Sequence, residues 1–409
     1  MLTAQLVRSF ASDSNGALVA VSIVASGLAA AAVYLTARRF AGRGPSAVAA
    51  LGLGLSPIAW TFGETAVPYE ILAFGSPALA GAFHVSRGAP SRTLGASLAF
   101  GLLAGFRQDL LIVLGPLWLW MVAPLAWRER AAAAAVVLIA CTAWLVPSAL
   151  GSGGLAGYAS ALIAQSGRVE TMSPLGGGAP QLLQNLALSA YGLFWGTLAV
   201  GLLLLVRALA APRAAMRSGD AVFFALWIVP GLVFYTFVHT GDPAYVLSIV
   251  PAIFVLFARW LDSVARARPV ALPVALAVVI AQAAFFLIPG PYGLSSAVLA
   301  AHDRSIDDLV ATTRATSPDA SLVAAQSGYL TAAYYVRDRP VRFSGEGPEV
   351  LARDARTEPP PRGRTTVIVF GGGVRLDAIV TTKLAPSMES FAVDAGAAYP
   401  IPLYDLGVR

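Results

Sequence analysis

The sequence predicts an all-α polytopic membrane bundle of about ten transmembrane helices, followed by a small C-terminal extracytoplasmic α/β domain. Three observations carry that expectation. Of the 409 residues, 57% are hydrophobic and only 12% charged, with a mean hydropathy of +0.71. A soluble domain carries about 25% charged residues to wet its surface, so lipid must solvate much of this chain. Apolar runs long enough for a hydrocarbon core of about 30 Å recur up to about residue 290, with basic residues falling singly or in pairs between them. From about Ala301 onward the composition turns to that of a water-soluble domain. The organisation read from this is an interfacial segment 1–15, a multi-span domain 16–290 and an α/β domain 291–409.

The net charge of +6 does not point to nucleic acid, because the basic residues sit where loop anchors sit in a membrane protein. Lys383 is the sole lysine, an arginine bias that reads as a GC-rich bacterial genome and so places the bundle in the cytoplasmic membrane. Cys141 is the sole cysteine and lies in an apolar run, which excludes a disulfide framework and a cysteine metal site. No clustered carboxylates call for a metal, and no cofactor is implied. Leu2, Leu6, Val7 and Phe10 repeat at helical spacing, the pattern of a short amphipathic helix on the membrane surface. The segment has no apolar core or cleavage site of a signal peptide.

Clear spans are read at 16–36, 131–150, 185–206, 221–238, 244–261 and 270–289. The stretch 46–85 is too long for one crossing at 1.5 Å per residue and contains Pro57, Glu64 and Pro68, so it divides into 46–60 and 68–85 around a tight turn. The stretch 94–127 has Arg107 and Asp109 at its middle and divides into 94–106 and 110–127. With that second division, one side of the membrane collects nearly every loop arginine, from Arg38, Arg39 and Arg43 to Arg259, Arg266 and Arg268, while the other keeps Arg8, Arg107 and Arg168. The positive-inside rule makes the first side cytoplasmic, and both termini fall outside. In the C-terminal part, helices are expected at 305–316 and 328–336, strands at 321–325, 341–344, 366–370 and 389–393, and a proline-rich loop at 358–363.

Ionisable groups near bilayer depth are costly and therefore functional candidates. Glu64 lies at the outer end of two short helices, where a carboxylate facing a cavity can act as general base or bind sugar hydroxyls; a solvated turn residue is the plain alternative. Glu70, two residues after Pro68, falls in a first helical turn, where its charge favours the helix dipole. Arg107 and Asp109 form the most informative pair: two short helices meet there, leaving a cavity in which an arginine can grip a phosphate in bidentate fashion while Asp109 orients it. The alternative is an ion pair that only caps helix ends. The connection 151–184, with Arg168, Glu170 and three glycines at 176–178, reads as a long lid or a flexible loop. Between the spans 221–238 and 244–261, Asp242 before Pro243 fits an N-cap, and His239 and Tyr245 are placed to hydrogen-bond a polar ligand. The triple glycine at 371–373 reads as a turn.

The runs Ala17-Leu-Val to Phe40, Ser56-Pro-Ile-Ala-Trp, Gly101 to Arg107 and Tyr245-Val-Leu-Ser-Ile-Val-Pro251, in this order and topology, resemble the GT-C superfamily of membrane glycosyltransferases. The nearest resemblance within it is to bacterial relatives of protein mannosyltransferases and of lipid A aminoarabinose transferase. The resemblance implies transfer of a sugar from a polyprenyl-phosphate donor to an extracytoplasmic acceptor, with inversion at the sugar carbon. It also implies an acidic base in the first outer loop, which this sequence lacks together with the span before it. The expectation is therefore of a chain that is truncated at its N-terminus or degenerate. By position, the resemblance carries Glu64 as a second-loop acidic residue and Arg107 as a phosphate-side residue. The rival readings are a non-catalytic membrane scaffold of the same fold and a transporter of a lipid-linked or small polar substrate.

Overall fold

The computed structural model describes residues 14–65, 69–171, 173–210, 220–238, 242–288, 294–315, 321–336, 338, 340–344, 356–358, 365–370, 381–385, 390–395 and 403–405. The chain divides into two compact units, Met1–Ser296 and Ala297–Arg409. Residues 1–13 of the expected interfacial segment 1–15, most of the proline-rich loop and the glycines at 371–373 lie outside the described residues.

The first unit is helical. Its elements are α1 (Ser14–Ala37), α2 (Arg43–Gly54), α3 (Pro57–Gly63), α4 (Tyr69–Ser86), α5 (Pro90–Leu103), α6 (Asp109–Val122), α7 (Trp127–Gly151), α8 (Leu155–Thr171), α9 (Pro174–Ala210) and α10 (Ala221–Phe237). A 3₁₀ turn (Pro243–Ser248) then leads into α11 (Val250–Ala267), α12 (Ala271–Gln282) and α13 (Ala284–Leu287). Among the described residues, three helices are long and apolar enough to cross a bilayer alone, Gly16–Ala37, Trp127–Gly151 and Pro174–Arg207, with a fourth if the bent pair α2–α3 counts as one. Val24, Leu35, Leu138 and Ile139 are each more than 60% exposed on α1 and α7; apolar surface on this scale is stable only against lipid.

The core is built from α4, α6, α10 and α11, where Phe83, Phe223, Trp227, Tyr235, Phe254 and Phe257 are fully buried. α1 packs on α4, tied to it by the Thr36 hydroxyl donating to the Pro77 carbonyl oxygen at 2.9 Å. α5 lies on α7 at close range because Gly101 has no side chain: a Cβ there would stand 2.8 Å from the Val137 carbonyl oxygen. Two groups of side chains mark opposite ends of the core helices. Phe40, His84, Trp120 and Phe223 pack together at one end, and Tyr69, Asp109 and Tyr235 lie toward the other. α4, α6 and α10 each run from one group to the other.

The helix break expected at Arg107–Asp109 is present, between α5 and α6. Three readings need correction. The helix expected over 46–60 is two helices bent by 54°, because Pro57 holds Ser56 extended (φ −76°, ψ 135°) and the Ser56 hydroxyl caps the second helix at Ala59 N–H. The lid or loop expected over 151–184 instead contains α8 and the start of α9; the alanine-rich run through 155–171 has high helix propensity and no proline. The span expected at 244–261 opens as a 3₁₀ turn, Pro243–Ser248, and its α-helix starts only at Val250, with Pro251 in the first turn where a missing N–H costs nothing.

The second unit holds α14 (Ser296–Ala315), α15 (Gln326–Tyr335) and a seven-stranded sheet in the order β3-β7-β2-β1-β4-β6-β5. β1 (Ser321–Ala325) runs parallel to β2 (Val341–Ser344) and β4 (Thr365–Phe370), with α15 as the connection between β1 and β2. β6 (Ser390–Ala395), β5 (Thr381–Ala385), β7 (Leu403–Asp405) and β3 (Arg356–Glu358) add in antiparallel fashion. Each of the four expected strands has a counterpart; β3, β5 and β7 are additional.

Candidate active site

Gly105 ends α5 against α7, where a Cβ would meet the Trp144 ring at 2.7 Å. The chain then turns through Phe106 to Gln108 and re-enters a helix at Asp109, whose carboxylate sits in the first turn of α6, favoured by the helix dipole. Arg107 reaches this carboxylate with a two-pronged bond, Nη2 to Oδ2 at 2.8 Å and Nε to Oδ1 at 3.3 Å. Both side chains are mostly buried, 16% and 11% exposed. The guanidinium carbon lies 5.1 Å from the Tyr69 ring centre and 4.8 Å from that of Tyr245, within cation–π range of both. Burial disfavours the Arg107 charge, but the Asp109 carboxylate outweighs it and holds the guanidinium above its ordinary pKa.

A chain of polar groups runs from this pair into the core. The Tyr235 hydroxyl donates to Asp109 Oδ2 at 3.4 Å and accepts from the Ser248 hydroxyl at 3.3 Å. The Ser248 carbonyl accepts from Ser76, whose hydroxyl oxygen accepts from the Trp227 indole N–H at 2.6 Å. Trp227, Tyr235, Ser76 and Ser248 are all buried, and a satisfied buried network of this kind fixes the geometry of its members. Tyr245 packs between its neighbours at steep ring angles, with ring centres 5.5 Å from Tyr69 and 5.3 Å from Tyr235. The 3₁₀ turn that carries it lies hard against α9, where a Cβ on Gly192 would stand 2.3 Å from the Pro243 carbonyl oxygen.

Asp242 fulfils the expected N-cap, accepting from the Ala244 N–H at 2.8 Å. Burial pushes its carboxyl up from the usual range, opposed by the Ala244 N–H and by Arg107. The structure thus gathers Arg107, Asp109, Asp242 and Tyr245 from two separate stretches. Arg168 is on α8 with its side chain outside the described residues, and His239 lies outside them too. Glu64 ends α3 with its backbone N–H on the Trp60 carbonyl oxygen, is exposed, and lines a different cavity with Glu70. Sequence reasoning missed Tyr69 and Tyr235. The available signal was their position: each stands at the end of a span that the arginine distribution puts on the Arg107 side.

Alongside the turn, two hollows of about 310 and 360 Å³ follow one another down the seam between α1 and α4, sharing Leu28 and Phe74 on their walls. The first is entirely apolar and begins at Phe106; the second ends at Arg39. Among the described residues, no group of three or more His, Cys, Asp or Glu could hold a metal ion.

No family model matches the sequence, and comparison with curated proteins finds no match. Solved structures do match. The crystal structure of ArnT from Cupriavidus metallidurans bound to undecaprenyl phosphate aligns with a TM-score of 0.58 at 13% identity, over 93% of this chain and 85% of that one. The same protein in the apo state aligns at 0.55 with 14% identity, over 93% and 84%. At this identity the likeness is one of fold, and it extends over nearly the whole chain. The chain has the fold of ArnT.

Proposed function

We propose that this chain is a membrane glycosyltransferase that moves a sugar from a polyprenyl-phosphate-linked donor to an extracytoplasmic acceptor. It works as a bundle of about ten spans in the bacterial cytoplasmic membrane, with its C-terminal domain outside. The observation that carries the reading is the Arg107 turn. A fixed guanidinium, oriented by Asp109 and flanked by Tyr69 and Tyr245, lies at a helix break beside an apolar furrow. A phosphate on an isoprenoid chain needs that combination: a planar cation for the head and an apolar path for the tail. That ArnT, of the same fold, has been crystallised with undecaprenyl phosphate supports the ligand class.

In the reaction, Arg107 holds the donor phosphate. The acceptor hydroxyl oxygen attacks the anomeric carbon from the face opposite the phosphate. A new carbon–oxygen bond forms as the sugar–phosphate bond breaks, and its electron pair leaves with the polyprenyl phosphate. Glu64 takes the acceptor proton as general base. Asp242 and Tyr245 beside the guanidinium, with Arg168 and His239, are assigned to substrate contacts. Arg107→Ala is expected to weaken polyprenyl-phosphate binding by about 2–5 kcal/mol, at least about 30-fold, measured by native mass spectrometry of the purified protein. Arg107→Lys keeps the charge without the fork and should lose less. If the alanine variant binds the lipid phosphate as tightly as the parent, the reading fails and Arg107 serves only Asp109.

A further inference from the structure

Glu70 is the second acidic residue of the α3–α4 region, one position after Tyr69. It is 1% exposed, and neither carboxyl oxygen has a hydrogen-bond partner among the described residues. A buried carboxyl without partners is costly and rare, and each instance asks for a reason. Ser26, beside it, gives its own hydroxyl proton to the Ser22 carbonyl oxygen at 3.0 Å. The carboxyl lines a half-open cavity of about 330 Å³ between α1, α3 and the first turn of α4, a size at the lower end of small-molecule sites.

The other groups around this cavity define what it can take. Glu64 stands exposed on its lining and adds a second carboxyl; among the described residues no basic side chain lines it. The Trp60 indole N–H is spent on the Gly54 carbonyl oxygen, so the ring is fixed and offers only its apolar surface. Gly63 keeps the floor open: a Cβ there would stand 2.7 Å from Ser26 Oγ and 4.0 Å from Glu70 Cγ. Two carboxyls with no cation beside them among the described residues give a phosphate no counter-charge, and their oxygens call for a ligand that brings hydrogen-bond donors. Tyr69 and Glu70 are successive residues, about 100° apart on the helix, so one turn of α4 faces the Arg107 cation on one side and this acidic cavity on another.

We propose that this cavity binds a polyhydroxyl head group, and that Glu70 holds it by accepting its hydroxyl hydrogens. Resting on the glycosyltransferase reading, the head group is that of the acceptor, delivered with a hydroxyl beside Glu64. Donor phosphate and acceptor hydroxyls are then sorted by charge to two sides of the same helical turn.

The test uses the full-length protein in a phosphocholine detergent, with octyl glucoside as the polyhydroxyl probe and dicyclohexylcarbodiimide as the reagent for the unpaired carboxyl. Glu70 should carry the carbodiimide adduct in peptide mass spectrometry, and millimolar octyl glucoside should protect it. Octyl phosphate and octyltrimethylammonium should not protect, the first for its charge and the second because it has no donor. Glu70→Gln should weaken octyl glucoside binding by about tenfold, the loss of one hydrogen bond to the carboxyl. It should leave polyprenyl-phosphate binding at Arg107 unchanged, which also shows that the variant is folded. Gly63→Ala, which keeps both carboxyls and fills the floor, should abolish the protection. No adduct at Glu70, an adduct that octyl glucoside leaves untouched, or protection by the ammonium probe instead would each overturn the proposal. Protection at Glu70 together with a harmless Arg107→Ala would sink the transferase reading alone and leave the polyhydroxyl site standing.

Discussion

Replacing Asp109 by leucine isolates what the Arg107 fork gains from its carboxylate. The pair is 16% and 11% exposed and doubly bonded, close to the regime in which removing one partner strands a buried charge and costs about 3–5 kcal/mol. Because neither side chain is fully buried and two tyrosine faces still flank the guanidinium, the lower end, about 3 kcal/mol, is expected for Asp109→Leu. Arg107→Leu leaves the carboxylate at the start of α6, where the helix dipole recovers about 0.5–1 kcal/mol, so a loss nearer 2 kcal/mol is expected. Removing both leaves no stranded charge, and the double variant should be no worse than Arg107→Leu alone. The coupling energy is then about 3 kcal/mol, well above the roughly 0.5 kcal/mol within which independent sites add. The assay is unfolding of the purified proteins in mixed micelles with rising dodecyl sulfate. Additive single-variant losses would refute the reasoning and mean that water, not Asp109, balances Arg107.

Two further expectations test the frame around the site. Gln108, exposed between the short helices α5 and α6 and bonded to the Tyr158 hydroxyl at 3.2 Å, should face the extracytoplasmic medium. Gln108→Cys in a Cys141→Ala background should react with an impermeant maleimide on intact cells, and labelling only after permeabilisation would reverse the proposed topology. Gly192→Ala puts a methyl against the Pro243 carbonyl and should cost about 1–3 kcal/mol while weakening polyprenyl-phosphate binding through the displaced Tyr245. Gly115→Ala, which meets open space, is the control that should change neither.

What could be seen in the sequence, and what could not, follows from the range of the forces involved. Arg107 and Asp109 announce a helix break because two charges inside an apolar run cannot both stay in lipid, a rule that acts over a few residues. Asp242 before Pro243 announces its cap for the same local reason. α8 stayed hidden because its turns are weakly amphipathic and lie between two glycine runs, 153–154 and 176–178, so composition suggested a loop where propensity made a helix. The tyrosines at 69, 235 and 245 meet around Arg107 only after four elements have packed, and no spacing in the sequence encodes that meeting. Glu70 is the sharpest case. Its first-turn position was legible, and the helix dipole accounts for a charge there. The dipole favours a charge at that position whichever way the side chain faces, however, and this carboxyl is buried on the wall of a cavity with neither oxygen paired among the described residues. A rule for where a residue sits along a helix says nothing about which way it faces. At Glu70 the facing direction turns a capping residue into a binding group.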